Sequence, residues 1–352
     1  MQRTKKMLRN FIIFIALIIV TFYIILKDQN VTEIFDILSG VNKGYIAIAI
    51  LCMCFYIVCE AINIGRTLKA LNEKSTFFKN VKYALIGFFF SSITPAASGG
   101  QPMQIYYMHK DKISVANSTL TLLINLSCVQ IVTISVALAS FCFNYHSLNG
   151  TMIAFFIMGI TLNLSALSLL IISIFSKRMT KALISITLKI LKFFRVKDIE
   201  KKQLRFEEEL GKYQGSASYI KENKLLILKT LITTYLQFIA FYSISYWVYC
   251  SLGLSEHNIL KMITMQSVLY ATVSGIPSPG AVGVSEGGFL GIFQGMFPET
   301  MLNGAMLLNR GVSFYLFVLI SLIVVLVNTM REKKQELEPE RIDTNEETQK
   351  NE

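Results

Sequence analysis

The sequence predicts an all-α polytopic membrane protein with about six full spans and two broken, re-entrant segments facing opposite ways, arranged as an inverted repeat. Three observations predict it. The chain of 352 residues is 53% hydrophobic and 16% charged, and its apolar residues gather into runs of about 17 to 27, long enough to cross a hydrocarbon core of ~30 Å. Two of those runs are interrupted by proline and glycine. The basic residues between runs alternate in density from loop to loop, the asymmetry expected of membrane topology.

Residues 1–9 are basic. Asn10 to Leu26 reads as a first span rather than a signal peptide, because its apolar core is long and no small-residue cleavage site precedes Lys27. Gly44 to Ile62 is the second span, and Ala84 to Met108 is the first broken segment. Asn117 to Phe143 and Met152 to Phe175 are ordinary spans. In residues 176–224, Lys181, Lys189, Lys192 and Arg195 alternate with Leu183, Ile186, Ile190 and Phe193, a pattern suited to an amphipathic helix on the bilayer surface. Leu225 to Leu252 spans again, Ile259 to Phe297 is the second broken segment, and Leu302 to Asn328 closes a membrane domain of residues 10–330. Residues 331–352 form a charged tail, expected to be disordered.

Charge sets the orientation. The N-terminus, residues 63–82, 109–112, 176–224 and the tail hold 4, 5, 2, 13 and 5 Lys and Arg, whereas the opposite loops hold Lys27 and Lys43. Both termini are therefore expected in the cytoplasm of a multi-pass plasma-membrane protein. A single crossing by residues 84–108 would put the 13 basic residues outside. That segment is thus expected to dip in from the cytoplasmic side and return, and residues 259–297 to do the same from the outer side. Aligning Pro95 with Pro279 also aligns Gly99 with Gly283, and paired interrupted segments of this kind point to a transporter site.

The breaks are carried by Pro95, Gly99, Gly100 and Pro102 in the first segment and by Pro277, Pro279, Gly280 and Gly283 in the second. Proline removes a backbone donor and glycine lowers helix propensity. At membrane depth, irregular backbone survives only inside protein or against a wet cavity. Glu286 and Arg310 are intramembrane ionisable groups, with Arg310 roughly 12 Å deep at 1.5 Å per residue. Such a pair either clamps two elements together or meets a ligand, Arg310 a phosphate and Glu286 a cation or proton. Ser285, Gln101 and Gln104 are further candidates for substrate binding. Glu60 and Arg66 read as interfacial anchors at the end of the second span, and Gln130, Gln237 and Gln266 as helix glue.

Several function classes are disfavoured. The net charge of +11 is explained by topology rather than by nucleic acid. Six cysteines and three scattered histidines make no metal-ligand pattern. Gly283-Val284-Ser285-Glu286-Gly287 matches a nucleophile elbow, yet no histidine follows Ser285, so no catalytic residue is assigned. No cofactor is expected.

Pro279-Gly280-Ala281-Val282-Gly283-Val284-Ser285-Glu286-Gly287 resembles the PGG-x-G-x-x-E motif of the lysylphosphatidylglycerol synthetase transmembrane family. These are flippase-like membrane domains, best known as the N-terminal half of bacterial multiple peptide resistance factors. Thr94-Pro95-Ala96-Ala97-Ser98-Gly99-Gly100 resembles the family's earlier TPG-x-x-GE motif, and the likeness runs over about residues 10 to 330. Gln101 and Gln104 stand where acidic and basic residues usually follow that first motif. The resemblance implies translocation of an anionic or aminoacylated phospholipid such as lysyl-phosphatidylglycerol, and with it resistance to cationic peptides. A second copy of the chain or a separate synthase would be its protein partner. The family's aminoacyl transfer from charged tRNA belongs to a soluble domain, for which a tail of about 22 residues leaves no room. Phosphatidylglycerol lysyltransferase and a non-transporting membrane scaffold are the alternative readings.

Overall fold

The computed structural model describes residues 39–175, 211, 213 and 215–330. The expected first span at 10–26, most of the amphipathic loop 176–224 and the tail 331–352 lie outside the described residues.

Among the described residues, five helices are long and apolar enough to cross a membrane: α1 Lys43–Ala70, α4 Val115–Asn144, α5 Gly150–Phe175, α6 Lys224–Ser251 and α9 Glu299–Met330. α1 has 28 residues and so spans about 42 Å, more than the ~30 Å hydrocarbon core. Between the long helices sit two short-helix pairs. The first pair is α2 Phe77–Ser92 and α3 Gly100–Lys110; the second is α7 Ile259–Val273 and α8 Val284–Ile292.

Each pair is a hairpin whose two feet share one end of the bundle. In the first, the amide of Gln104 on α3 donates to the Tyr83 carbonyl on α2 at 3.1 Å. Lys82 and Tyr83 meet Asp111, just past α3. In the second, a Cβ placed on Gly288 of α8 would meet Leu269 and Val273 of α7. At its feet the Tyr249 hydroxyl accepts from the backbone N–H groups of Glu256 and His257, while its ring packs on Phe297.

The hairpin feet lie at opposite ends. The end holding Asp111 also holds Glu73, which accepts from Ser114 N and the Asn117 amide, and Ser216, which donates to Asn117. The other end joins Asn42 to Ser251 and Lys261 to Asn144. Lys69, Lys74, Lys79, Lys82, Lys110, Lys112, Lys221 and Lys224 belong to the first end, against Lys43 and Lys261 at the second.

α1 packs along α6, and α4 packs on α5, α6 and α7. Outward faces stay apolar: Leu228, Ile232 and Leu236 on α6, and Leu319, Ile323 and Leu326 on α9, are exposed as lipid-facing side chains would be. Inside, Tyr83, Phe89, Phe238, Tyr242, Phe289 and Phe293 are fully buried. The chain is an all-α polytopic membrane protein.

Candidate functional site

The hairpin tips carry the same backbone. Thr94 and Ser278 are extended, with φ of −124° and −114°, and each precedes a proline that starts one turn of 3-10 helix. The next two residues are left-handed in both tips: Ala96 and Ala97 at φ 52° and 53°, Gly280 and Ala281 at φ 60° and 53°. Backbone bonds repeat as well, Ala97 N to Thr94 O at the first and Ala281 N to Ser278 O at the second. L-residues rarely take this region, at a cost of about 1 kcal/mol or more each. Surrounding structure must hold them there, and each tip does this for the other. Pro95–Ala97 packs on Pro279–Ala281, and a Cβ placed on Gly280 would overlap the Phe314 ring and lie 3.1 Å from the Ser92 carbonyl.

Freed backbone donors find partners. The Thr94 hydroxyl donates to Phe90 O at 2.6 Å and accepts from Gly99 N at 2.9 Å. Gly283 N donates to Glu286 Oε2 at 2.8 Å, closing the first turn of α8 with a carboxylate at the helix's positive end. Gly99 precedes α3 and Gly100 begins it, so Pro102 falls in its first turn, where the missing N–H breaks no helix bond. Pro277 lies just before Ser278, the extended residue that leads into the second tip.

Glu286 is wholly buried. Its Oε1 accepts from Arg310 Nε at 2.9 Å and from the Tyr315 hydroxyl at 2.7 Å. Arg310 also donates to the Gly280 carbonyl at 3.1 Å and stacks over the Phe314 ring at 4.2 Å. These residues converge because α9 contains a π-helical turn at Gly311–Tyr315. That wider turn brings residues four and five beyond Arg310 to the same side, one to stack and one to donate.

Beside the tips lies a cavity of about 340 Å³. Its wall includes Tyr56 and Glu60 on α1, Leu126 and Val129 on α4, Phe241 on α6 and Asn309 on α9, all well inside their helices. Among the residues expected at the site, Gln101, Gln104, Ser285 and Arg310 line it, as do the tip residues Gly280, Ala96 and Ala97. Glu286 does not: it stands behind Arg310. Gln266 Oε1, Ser278 Oγ and Asn309 Oδ1 are buried at this wall with no hydrogen-bond partner among the described residues. A recess of about 840 Å³, at the end holding Asn42 and Ser251, has no charged side chain among the described residues of its wall.

Sequence reasoning missed Glu60. Taken as an anchor at the end of a span closing at Ile62, it sits deep in the bundle with its carboxylate accepting from the Gln237 amide at 3.1 Å. α1 runs on to Ala70, beyond where hydropathy fell. The signal was the polar spacing itself: Tyr56, Glu60 and Asn63 recur at helical intervals, a polar stripe facing inward. Arg66 ties α1 to α6, donating to Asn63, to the Lys229 carbonyl and to Thr233.

No match was found among curated proteins. The family described as the lysylphosphatidylglycerol synthase TM region matches residues 11–321, and with that span covered the chain belongs to this family.

Proposed function

We propose that the protein is a lipid translocase, carrying an amphiphile with an anionic or aminoacylated head group between leaflets. One observation supports this above all: a cavity of about 340 Å³, its largely apolar wall carrying Glu60, Arg310 and the side-chain amides of Gln101, Gln104, Gln266 and Asn309, beside the meeting point of two hairpins whose feet lie at opposite ends. Binding cavities of about 300–1,000 Å³ hold drug-sized molecules, so this one suits a head group while acyl chains stay in the bilayer. Side-chain amides, hydroxyls and tip carbonyls replace water that the head group loses. Membership of the family ties the chain to lysyl-phosphatidylglycerol synthesis or translocation, and the cavity favours translocation.

In this reading α1, the first hairpin and α4 form one half of an inverted repeat; α6, the second hairpin and α9 form the other. The lysine-rich end faces the cytoplasm of the plasma membrane, and each hairpin is a gate opening toward its own side. Glu286, held by Gly283 N, Arg310 and the Tyr315 hydroxyl, acts as the clamp that orients Arg310. The substrate-contacting residues are Arg310, Gln101, Gln104 and Ser285.

The test is the outer-leaflet lipid composition of cells with and without the gene. Loss of the protein is expected to lower aminoacylated or matching lipid in the outer leaflet without changing its total amount. Unchanged leaflet composition, or synthesis of aminoacylated lipid by the purified protein from charged tRNA, would overturn the reading.

A further inference from the structure

We propose that Glu60, with Tyr56, Phe241 and Tyr270, forms a cation subsite in the cavity, fitted to the primary ammonium of a lipid head group. This rests on the carrier reading for the identity of the ligand as a lipid. It reverses the emphasis on phosphate that Arg310 alone suggests.

The argument starts from charge. Two charged side chains line the cavity, Glu60 and Arg310. Arg310 is neutralised at contact by Glu286, 2.9 Å away, and two of its nitrogens are committed to Glu286 and to the Gly280 carbonyl. Glu60 makes no ion pair among the described residues, and its hydrogen bond there comes from a neutral amide. The nearest basic side chain along α1, Arg66, is engaged by Asn63, Lys229 O and Thr233. The cavity with Glu60 ionised therefore carries one negative charge that nothing on its wall offsets. An ionised carboxylate half-buried in the wall of a largely apolar cavity is costly unless a cation joins it.

The surroundings of Glu60 suit a cation. Tyr56 lies one turn earlier on the same face of α1. Its ring packs on Phe241 at 5.2 Å, and Phe241 on Tyr270 at 5.8 Å. All three rings line the cavity, and aromatic faces attract ammonium groups. An independent observation concerns hydrogen bonding. Gln266 and Asn309 on the same wall each bury a carbonyl oxygen without a donor among the described residues, as does Gln237 beside Glu60. These are acceptors waiting for N–H groups. A primary ammonium brings three donors; a phosphate brings acceptors, which would leave these oxygens unmatched.

The test compares binding of dioctanoyl phosphatidylethanolamine and dioctanoyl phosphatidylglycerol to the purified full-length protein by calorimetry. The first lipid carries a primary ammonium and the second does not. Wild type is expected to bind the ethanolamine lipid about tenfold more tightly, a preference of the size that cation–aromatic and ionic contacts supply. Glu60→Gln, nearly isosteric, should erase that preference while thermal unfolding stays cooperative, and Phe241→Leu should weaken it by a few-fold. Equal binding of both lipids by wild type, or a preference surviving in Glu60→Gln, would overturn the subsite. Vesicle translocation separates this from the carrier reading. Protein that binds with the Glu60-dependent preference yet moves neither lipid keeps the subsite and sinks the carrier. Protein that moves lipid without that preference sinks the subsite alone.

Discussion

Arg310 shows how one side chain can serve two elements: it ties α9 to the second hairpin through Glu286 and closes the tip through the Gly280 carbonyl. Removing one partner of a buried pair leaves an uncompensated charge, at about 3–5 kcal/mol, whereas removing both costs far less. Glu286→Gln and Arg310→Met should each lower the midpoint of thermal unfolding sharply. The double variant should recover much of the loss, and a purely additive loss would show that the two do not act as a pair. At the foot of the first hairpin, burial raises the Asp111 carboxyl, but hydrogen bonds from Lys82 and Tyr83 and the charges of Lys82 and Lys79 outweigh it and hold the group below its usual range. A depressed carboxylate stabilises the fold fully above its unfolded pKa of about 3.9 and loses that contribution as pH falls through the folded value. Thermal stability should therefore drop below pH ~4, and less steeply in Asp111→Asn, as scanning fluorimetry across pH would read.

Among the elements, the two tips and the α5–α7 contact bring backbone against backbone. A Cβ on Gly159 of α5 would lie 2.5 Å from the Ala271 carbonyl and 2.7 Å from Thr272 Cα, and Asn163, one turn on, donates to the same carbonyl. Close approach through a small residue is how membrane helices associate. Gly159→Val should cost about 1–3 kcal/mol by overpacking and lower the unfolding midpoint. At the second tip, Gly280→Ala adds a methyl against Phe314 at positive φ, while Ala281→Gly relieves a left-handed alanine. The first should impair folding and translocation; the second should leave both near wild type. The two breaks and the likeness of Pro95 to Pro279 were legible from Pro and Gly placement, and most helix positions from hydropathy, though α1 and α2 extend into the 63–82 stretch read as a loop. The left-handed alanines were not, because alanine carries no signal for positive φ. Nor was the π-turn of α9, since it follows from what Arg310, Phe314 and Tyr315 must reach rather than from their own propensities.

For the molecule as a whole, charge asymmetry was the most informative feature of the sequence. It required hairpins rather than single crossings, and α2–α3 and α7–α8 fold back as it required. The cavity was foreseen only in outline: Gln101, Gln104, Ser285 and Arg310 reach its wall, but Glu60 and Asn309 come from helices far apart in sequence, and only tertiary packing reveals that they share it. The central claim is that this cavity, where the hairpins meet, is the path of a lipid head group. It is tested most directly by reconstituting the protein in vesicles and timing the transfer of a head-group-labelled phospholipid between leaflets. Two variants, Val129→Trp and Ser91→Trp, place a bulky ring at the cavity wall. Transfer well above that of protein-free vesicles, abolished by both fillers while the proteins remain folded, is the predicted result. Wild-type transfer at the protein-free rate, or filled variants that transfer as fast as wild type, would contradict it.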